Sequence, residues 1–366
     1  MQSIQSSTTQ IREPKRIRVS TEEMESRDSC GRTPLLKAVN QGKRERVLEL
    51  IHQPEVNLSA VDNSGNSALL LACKKHRWNI ALDLIKATGG QLLHISNASG
   101  KLPLHYAIQN YDVCKALIEN GADPQARDST GRSPLHDSSL TNTSTIELLI
   151  RAGANVNALT RDGDTPLHFA QDKKAVLRLL DLGANIDAVN FRGETPLLRS
   201  ARLVNISKLL LARGAKVDAV SKGHQDTILH KACLSKNVYL FHELLSGEAK
   251  EMREAMCVLV DKVDQEGNSP LHLLMNNRGW DGSASDYFLK EFQWPMAQEL
   301  LDHGARVDQQ NRDHNTPLIE FASTCDMNRS QNEAEQEDHD TSCLNVIYEL
   351  LQHQVGQEAS SFDTMA

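Results

Sequence analysis

The sequence of 366 residues predicts an all-α fold built from about nine stacked helix-turn-helix units, each with a short hairpin-like finger. One observation behind this prediction is a four-residue motif that recurs at a nearly constant period. A second is a glycine-containing motif that recurs in phase with it, and a third is that both motifs consist of residues that begin or end helices. A period of this size indicates units that bury their apolar faces against neighbouring units.

The first motif places Ser or Thr before Pro, Leu and often His, and it predicts where the first helix of each unit begins. The hydroxyl group caps exposed amides, and Pro at the next position has a preset φ where no donor is needed. Most copies are 30 to 35 residues apart, and the last two intervals are 42 and 47 residues. The nine copies are Thr33–Leu36, Ser67–Leu70, Leu102–His105, Ser133–His136, Thr165–His168, Thr195–Leu198, Thr227–His230, Ser269–His272 and Thr316–Ile319.

The second motif closes the second helix of a unit with apolar residues followed by Gly and Ala. Glycine at this place suits the left-handed conformation that ends many helices. A tight turn such as Asp128–Gly131 then follows, in which Asp bonds nearby amides and Gly takes a positive φ. The copies of the second motif are Leu117–Asp123, Leu149–Asn155, Leu179–Asn185, Leu210–Lys216 and Leu300–Arg306.

Together these residues resemble ankyrin repeats, whose signature is Thr-Pro-Leu-His-x-Ala. The resemblance covers residues 28–354, and we expect disordered tails at 1–27 and 355–366. Gln225 and His314 stand where the family has a finger glycine, and Phe321 stands where Ala is usual. The resemblance implies a curved solenoid whose concave face, made of finger tips and first helices, binds a partner protein without catalysis, cofactor or metal.

Three insertions lengthen the later units. The insertion at 247–262 is amphipathic and predicts an extension of the second helix of the seventh unit. The insertion at 276–295 holds five of the chain's fifteen aromatic residues, and two interpretations stay open: rings packed against the array, or a contact site for a partner. The insertion at 324–341 is acidic and nearly free of apolar residues, which predicts a solvated loop.

Candidate partner contacts follow from the family pattern, in which residues beside the finger glycine and at the end of the first helix face the ligand. Trp78 is added because it follows a short basic run, for which a solvated helix end is the alternative. From the repeats the candidates are Lys74, Lys75, Trp78, Lys101, Tyr111, Arg132, Arg161, Phe191 and Arg192. From the aromatic insertion they are Trp280, Tyr287, Phe288 and Trp294.

The histidines and cysteines do not form a pattern typical of catalysis or metal binding. Five histidines take the same motif position, and the resemblance implies that they bond backbone between units. They are His105, His136, His168, His230 and His272. The seven cysteines are an odd set without a Cys-x-x-Cys pair, which predicts reduced and mostly buried thiols. Phosphate-binding loops and nucleophile elbows are also missing from the sequence, so we expect a protein that is not an enzyme.

Charge distribution and targeting signals restrict the classes of partner and the cellular locations that we expect. Residues 1–183 carry 23 basic and 20 acidic side chains, whereas residues 184–366 carry 17 and 28, which argues against direct binding of nucleic acid. No apolar run is long enough for a membrane helix, and the first twenty residues lack the apolar core of a secretory signal. We expect a monomer in the cytoplasm. The basic run Lys15–Arg18 also allows a nuclear location, as a short nuclear localisation signal. The alternatives are a nuclear inhibitor or transcriptional co-regulator, and a secreted effector that acts on host proteins.

Overall fold

The computed structural model describes residues 25–140, 143–235, 237–246, 250–276, 294–325 and 346–353. The chain divides into two compact units, Met1–Asp123 and Pro124–Ala366, which we call unit 1 and unit 2. The described residues form helices, with an isolated bridge between Val61 and Ser67 and no strand. The predicted all-α repeat fold is confirmed. No described helix combines the length and apolar composition needed to span a membrane.

Unit 1 contains three helix pairs, which we number as repeats 1 to 3 and divide into a first and a second helix. The pairs are Pro34–Gln41 with Arg44–Ile51, Ala68–Lys74 with Trp78–Thr88, and Pro103–Ala107 with Tyr111–Glu119. Leucines of the motif and of the second helices, such as Leu69, Leu84 and Leu104, are buried completely or almost so. The core of unit 1 therefore lies between the helices of neighbouring repeats, as the period predicts.

Unit 2 contains repeats 4 to 9. The first helix of repeat 4 is a 3₁₀ helix, and the first helices of repeats 5 and 6 are only four residues long. The pairs are Pro134–Leu140 with Thr143–Arg151, Pro166–Phe169 with Lys173–Asp181, Pro196–Arg199 with Val204–Ala212, Ile228–Leu234 with Val238–Leu245, Pro270–Met275 with Trp294–Asp302, and Pro317–Cys325 with a helix at 346–353.

The insertion at 247–262 differs from its prediction. In place of one extended second helix, the structure has Val238–Leu245, which is capped at Ser246, and a separate helix Lys250–Leu259. In the sequence, Gly247 separates the two helical segments, and Gly in a helix interior costs about 1 kcal/mol relative to Ala. The separate helix buries Met256 and Leu259 on its apolar face. Residues 277–293 and 326–341 of the other two insertions lie outside the described residues.

Each finger is organised by one polar side chain at its start. The Asp128 carboxylate accepts from the amides of Thr130 and Arg132 at 2.8 and 3.0 Å, and the side-chain oxygens of the equivalent Asp, Asn or Thr residues make the same contacts. The finger glycines have positive φ, and Gln225 and His314 take the same left-handed conformation at φ 58° and 62°. A left-handed residue is thus present even where the family glycine is missing, although the finger of repeat 7 is one residue longer: the Ser221 amide donates to the Asp226 carbonyl, and the Asp226 amide donates to Oγ of Ser221.

The motif histidines of unit 2 connect neighbouring repeats through hydrogen bonds, as the resemblance to ankyrin repeats implies. In each, Nδ1 accepts from the backbone amide of the motif's first residue at 3.0 to 3.2 Å. Nε2 donates to the carbonyl that precedes the next motif. These Nε2 contacts are His136 with Asp164 at 3.2 Å, and His168 with Glu194, His230 with Asn268 and His272 with Asn315 at 3.0 Å. Burial lowers the pKa of all four imidazoles, which favours the neutral form that this bonding requires.

Candidate interaction surface

Two rows of equivalent side chains form the candidate surface of unit 2. One row is the finger-exit position, which directly precedes each motif, and the other is the fifth position, which directly follows it. Phe169, Arg199 and Lys231 at the fifth position each lie beside the finger-exit residue of the preceding repeat. The finger-exit residues are Arg132, Asp164, Glu194, Asp226, Asn268 and Asn315; the fifth-position residues are Asp137, Phe169, Arg199, Lys231, Leu273 and Glu320.

Phe169 is held between two guanidinium groups. The Cζ atom of Arg132 lies 4.2 Å from the Phe169 ring centre and that of Arg199 lies 4.7 Å away, both within the range of cation-π attraction. His136 meets the same ring edge-on, with 6.0 Å between ring centres. The stack therefore joins side chains of repeats 4, 5 and 6.

Asp164 is the buried acid of this surface, with a side chain that is 2% exposed. Nη1 of Arg199 lies 3.1 Å from both of its carboxylate oxygens, and the Asn190 amide donates to it at 2.7 Å. Arg192 adds a longer ion pair at 3.5 Å. The carboxylate is compensated by donors from repeat 6, so it specifies how repeat 6 packs on repeat 5.

The charge network continues into repeat 7. Lys231 lies 3.0 Å from Asp226 and 3.8 Å from Glu194, and Nε of Arg192 donates to Glu194 at 3.1 Å. Burial acts to raise the pKa of Glu194, but the hydrogen bonds from Arg192 and Asn190 outweigh it, so the pKa lies below its ordinary value. Arg192, Glu194 and Lys231 edge an open cleft of about 480 Å³, at which Leu234 is 54% exposed.

Some predicted contact residues of unit 2 already interact with other side chains, and others are exposed to solvent. Arg132 is half-buried in the Phe169 stack, and Arg192 is engaged by acidic groups although it stays exposed. Arg161 and Phe191 are exposed at successive finger tips, with Phe191 at 65%. Trp294 is half-buried at the start of its helix. Trp280, Tyr287 and Phe288 lie outside the described residues.

The predicted contacts of unit 1 lie in several local environments. Lys74 and Lys75 are exposed and line a cleft of about 370 Å³ together with Arg32. Trp78 lines a different cleft and meets His76 edge-on at 5.1 Å. The Lys101 ammonium lies 5.5 Å from the centre of the Tyr106 ring, and Tyr111 is 39% exposed at the start of a second helix.

Reasoning from the sequence missed Phe169, Arg199 and Lys231. The fifth position of the signature Thr-Pro-Leu-His-x-Ala could have identified them, because it is the variable x that precedes Ala. Read down the repeats of unit 2, this position changes from Asp137 through an aromatic residue to two cations. A variable position inside an otherwise repeated motif indicates a side chain that the repeat architecture does not itself require.

Comparisons with known proteins agree with the repeat architecture. Residues 84–160, 104–190 and 135–221 each match the family model described as ankyrin repeats in three copies. The chain is 32% identical over 164 residues to the B-cell lymphoma 3 protein homolog of Mus musculus, covering 43% of this chain and 36% of that protein. It is 30% identical over 226 residues to the nuclear factor NF-kappa-B p105 subunit of Gallus gallus, covering 57% and 21%. It is 30% identical over 152 residues to the neurogenic locus Notch protein of Drosophila melanogaster, covering 40% and 5%. The matched region covers at most 36% of the length of any of these three relatives.

Proposed function

Because this chain is an ankyrin-repeat protein, we propose that it is a non-enzymatic scaffold or adaptor whose finger tips and first helices bind a partner protein. Ankyrin repeats are protein-protein interaction modules, and the finer role of this chain is our proposal. The observation that carries it is that the finger tips of unit 2 present Arg161 and Phe191 to solvent, next to the hydrogen-bonded and ion-paired side chains of the finger-exit and fifth positions. Side chains placed in advance lose less conformational entropy on binding.

The proposed binding array spans residues 28–354, and it acts in the cytoplasm. Affinity in such surfaces is concentrated in a few aromatic and Arg side chains, so we expect Phe191 and the insertion aromatics to matter most. The proposed contacts are Lys74, Lys75, Trp78, Lys101, Tyr111, Arg132, Arg161, Phe191, Arg192, Trp280, Tyr287, Phe288 and Trp294.

A second candidate function is that of a nuclear regulator that binds a transcription factor or its partner. Similarity to a protein named as a nuclear factor subunit favours it, together with the basic run Lys15–Arg18. Imaging of the fluorescently tagged full chain tests this role. Accumulation in the nucleus that is lost when Lys15, Arg16 and Arg18 are changed to Ala supports it, whereas exclusion of the wild type from the nucleus refutes it.

The scaffold proposal is tested by affinity capture of the full chain from its native cells, with bound proteins identified by mass spectrometry. Phe191→Ala should lose a specific partner that the wild type retains. Tyr239→Ala is the matched control, since Tyr239 is an aromatic residue of similar exposure, 70%, on a second helix of the same unit. A further arm deletes residues 277–293 and tests the insertion. If no specific partner is captured by any form, the scaffold proposal is wrong.

A further inference from the structure

We propose that the finger tips of repeats 5, 6 and 7 bind an extended peptide segment that carries acidic residues on both sides of an apolar side chain. The proposal rests on the scaffold function and names the chemical class of the partner segment. Arg161, Phe191 and Lys222 occupy the same tip position in three successive fingers, and all three are exposed. A cation, an aromatic ring and a cation therefore follow one another along the stack.

Backbone hydrogen bonds fix the spacing of these three tips. Each tip amide donates to a carbonyl of the preceding finger. The contacts are Arg161 N to Thr130 O at 3.0 Å, Phe191 N to Asp162 O at 2.9 Å and Lys222 N to Arg192 O at 2.6 Å. Because each finger is bonded to the one before it, the tips form a continuous row whose geometry exists before any partner binds.

The finger glycines make room for the three side chains. A Cβ atom on Gly163 would lie 2.9 Å from Cδ1 of Phe191, so the ring lies directly over this glycine. The stems of Arg161 and Lys222 lie over Gly131 and Gly193 in the same way, with Cγ at 3.2 and 3.0 Å from the equivalent Cβ positions. The three side chains thus begin from defined positions on neighbouring fingers while their ends face solvent.

The charge around these tips is positive. Neither Arg161 nor Lys222 has an ion-pair partner among the residues that the structure describes. Asp162, the residue after Arg161, is an acidic neighbour of this row; it is 71% exposed and lies 3.9 Å from Arg192, which lies closer to Glu194. Lys222 lies within residues 184–366, which carry 17 basic and 28 acidic side chains, so this cation departs from the charge of its half of the sequence. An acidic segment complements the cations of the row.

The spacing of the repeats sets the spacing of the ligand. Packed helices lie about 8–10 Å apart. An extended chain in the polyproline II conformation rises about 3.1 Å per residue with three residues per turn, so one repeat corresponds to about three residues and every third side chain lies on the same face. The segment that fits the row therefore has an acidic residue, an apolar residue three positions later and a second acidic residue three positions after that. The apolar side chain contacts Phe191, and the carboxylates pair with Arg161 and Lys222.

A selection from a random twelve-residue peptide library displayed on phage, with the full chain as bait, tests the proposal. The wild type should enrich peptides with the acidic, apolar, acidic pattern. The double variant Arg161→Glu with Lys222→Glu should enrich basic residues at the two outer positions instead. Arg312→Glu is the matched control, because Arg312 is exposed at the same tip position in repeat 9 and should leave the selection unchanged.

Synthetic copies of the enriched peptides then give the affinities by fluorescence anisotropy. Phe191→Ala should weaken binding about tenfold, and added NaCl should weaken it further because it screens exposed charges. Enrichment without an acidic bias, selection of the same peptides by the double variant, or failure to enrich any peptide would each overturn the proposal. In those cases the scaffold function still stands if affinity capture yields a partner that depends on other residues of the face.

Discussion

Removal of the charge at Asp164 should destabilise the boundary between repeats 5 and 6. The side chain is 2% exposed, and it accepts hydrogen bonds from Arg199 of repeat 6 at 3.1 Å and from Asn190 at 2.7 Å. Asp164→Asn keeps the shape and one oxygen acceptor but loses the negative charge. Arg199 then has no buried counter-ion, although it keeps its contact with the Phe169 ring.

The expected cost follows from the burial of the two partners. Breaking a fully buried pair costs about 3–5 kcal/mol, but the Arg199 side chain is 29% exposed and can regain water. Because a hydrogen bond to a charged group contributes about 1.5–3 kcal/mol, we expect a loss of about 2–3 kcal/mol for Asp164→Asn. Arg199→Met should cost about 1–2 kcal/mol, and the double variant should reveal a coupling energy of about 1–2 kcal/mol.

Hydrogen exchange of the full chain, resolved to peptides covering repeats 5 and 6, measures this local free energy of opening. Lys208→Met is the matched control, because the Lys208–Glu243 pair also joins two repeats at 3.0 Å but is 44% and 47% exposed. We expect less than about 1 kcal/mol for that exposed pair. A loss below about 0.5 kcal/mol for Asp164→Asn, or a coupling energy near zero, would refute the role assigned to the buried carboxylate.

Three further predictions concern titration, backbone conformation and thiol reactivity. Burial lowers the pKa of the four motif histidines of unit 2 below the ordinary 6.5, so below that pH the folded state binds fewer protons than the unfolded state. The contribution of these histidines to stability should therefore be constant above pH 6.5 and fall on acidification below it, by at most about 1.4 kcal/mol per pH unit for each histidine. Thermal unfolding between pH 8 and pH 5 measures this. A flat profile would contradict this. Gly163→Ala should lower the free energy of unfolding by at least about 1 kcal/mol, because φ is 79° and the new Cβ would meet Phe191. Gln225→Gly should raise it by about 1 kcal/mol, because Gly accepts a positive φ without strain. Urea titrations in which Gly163→Ala stabilises the chain and Gln225→Gly destabilises it would refute the strain argument. Burial raises the pKa of the Cys114 thiol to about 12 and raises that of Cys73 further. Iodoacetamide should therefore label the exposed Cys30 in the native chain but label Cys73 and Cys114 only after urea is added. Peptide mass spectrometry records which thiols are modified, and labelling of Cys73 or Cys114 in the native chain would contradict the prediction.

The sequence alone determined the features that depend on contacts within a few residues. Helix starts at Ser or Thr with Pro, helix ends at Gly and the finger turns all involve partners two to four positions away, so they can be read from local spacing. Asp128, for example, bonds amides two and four residues ahead. The row of histidines was also readable, because equivalent positions in equal repeats must have equivalent surroundings.

Only the tertiary structure decided which side chains meet between repeats. The stack of Phe169 on Arg132 and Arg199, and the pairing of Arg199 with Asp164, join residues about one period apart and depend on the register in which the repeats pack. It also decided that Gln225 takes a left-handed conformation, at φ 58°, in a finger that is one residue longer than those of repeats 5 and 6. The division of the seventh repeat's insertion into a separate helix, Lys250–Leu259, was likewise a tertiary outcome, because its apolar residues Met256 and Leu259 are buried by the surrounding structure and not by continuation of the preceding helix.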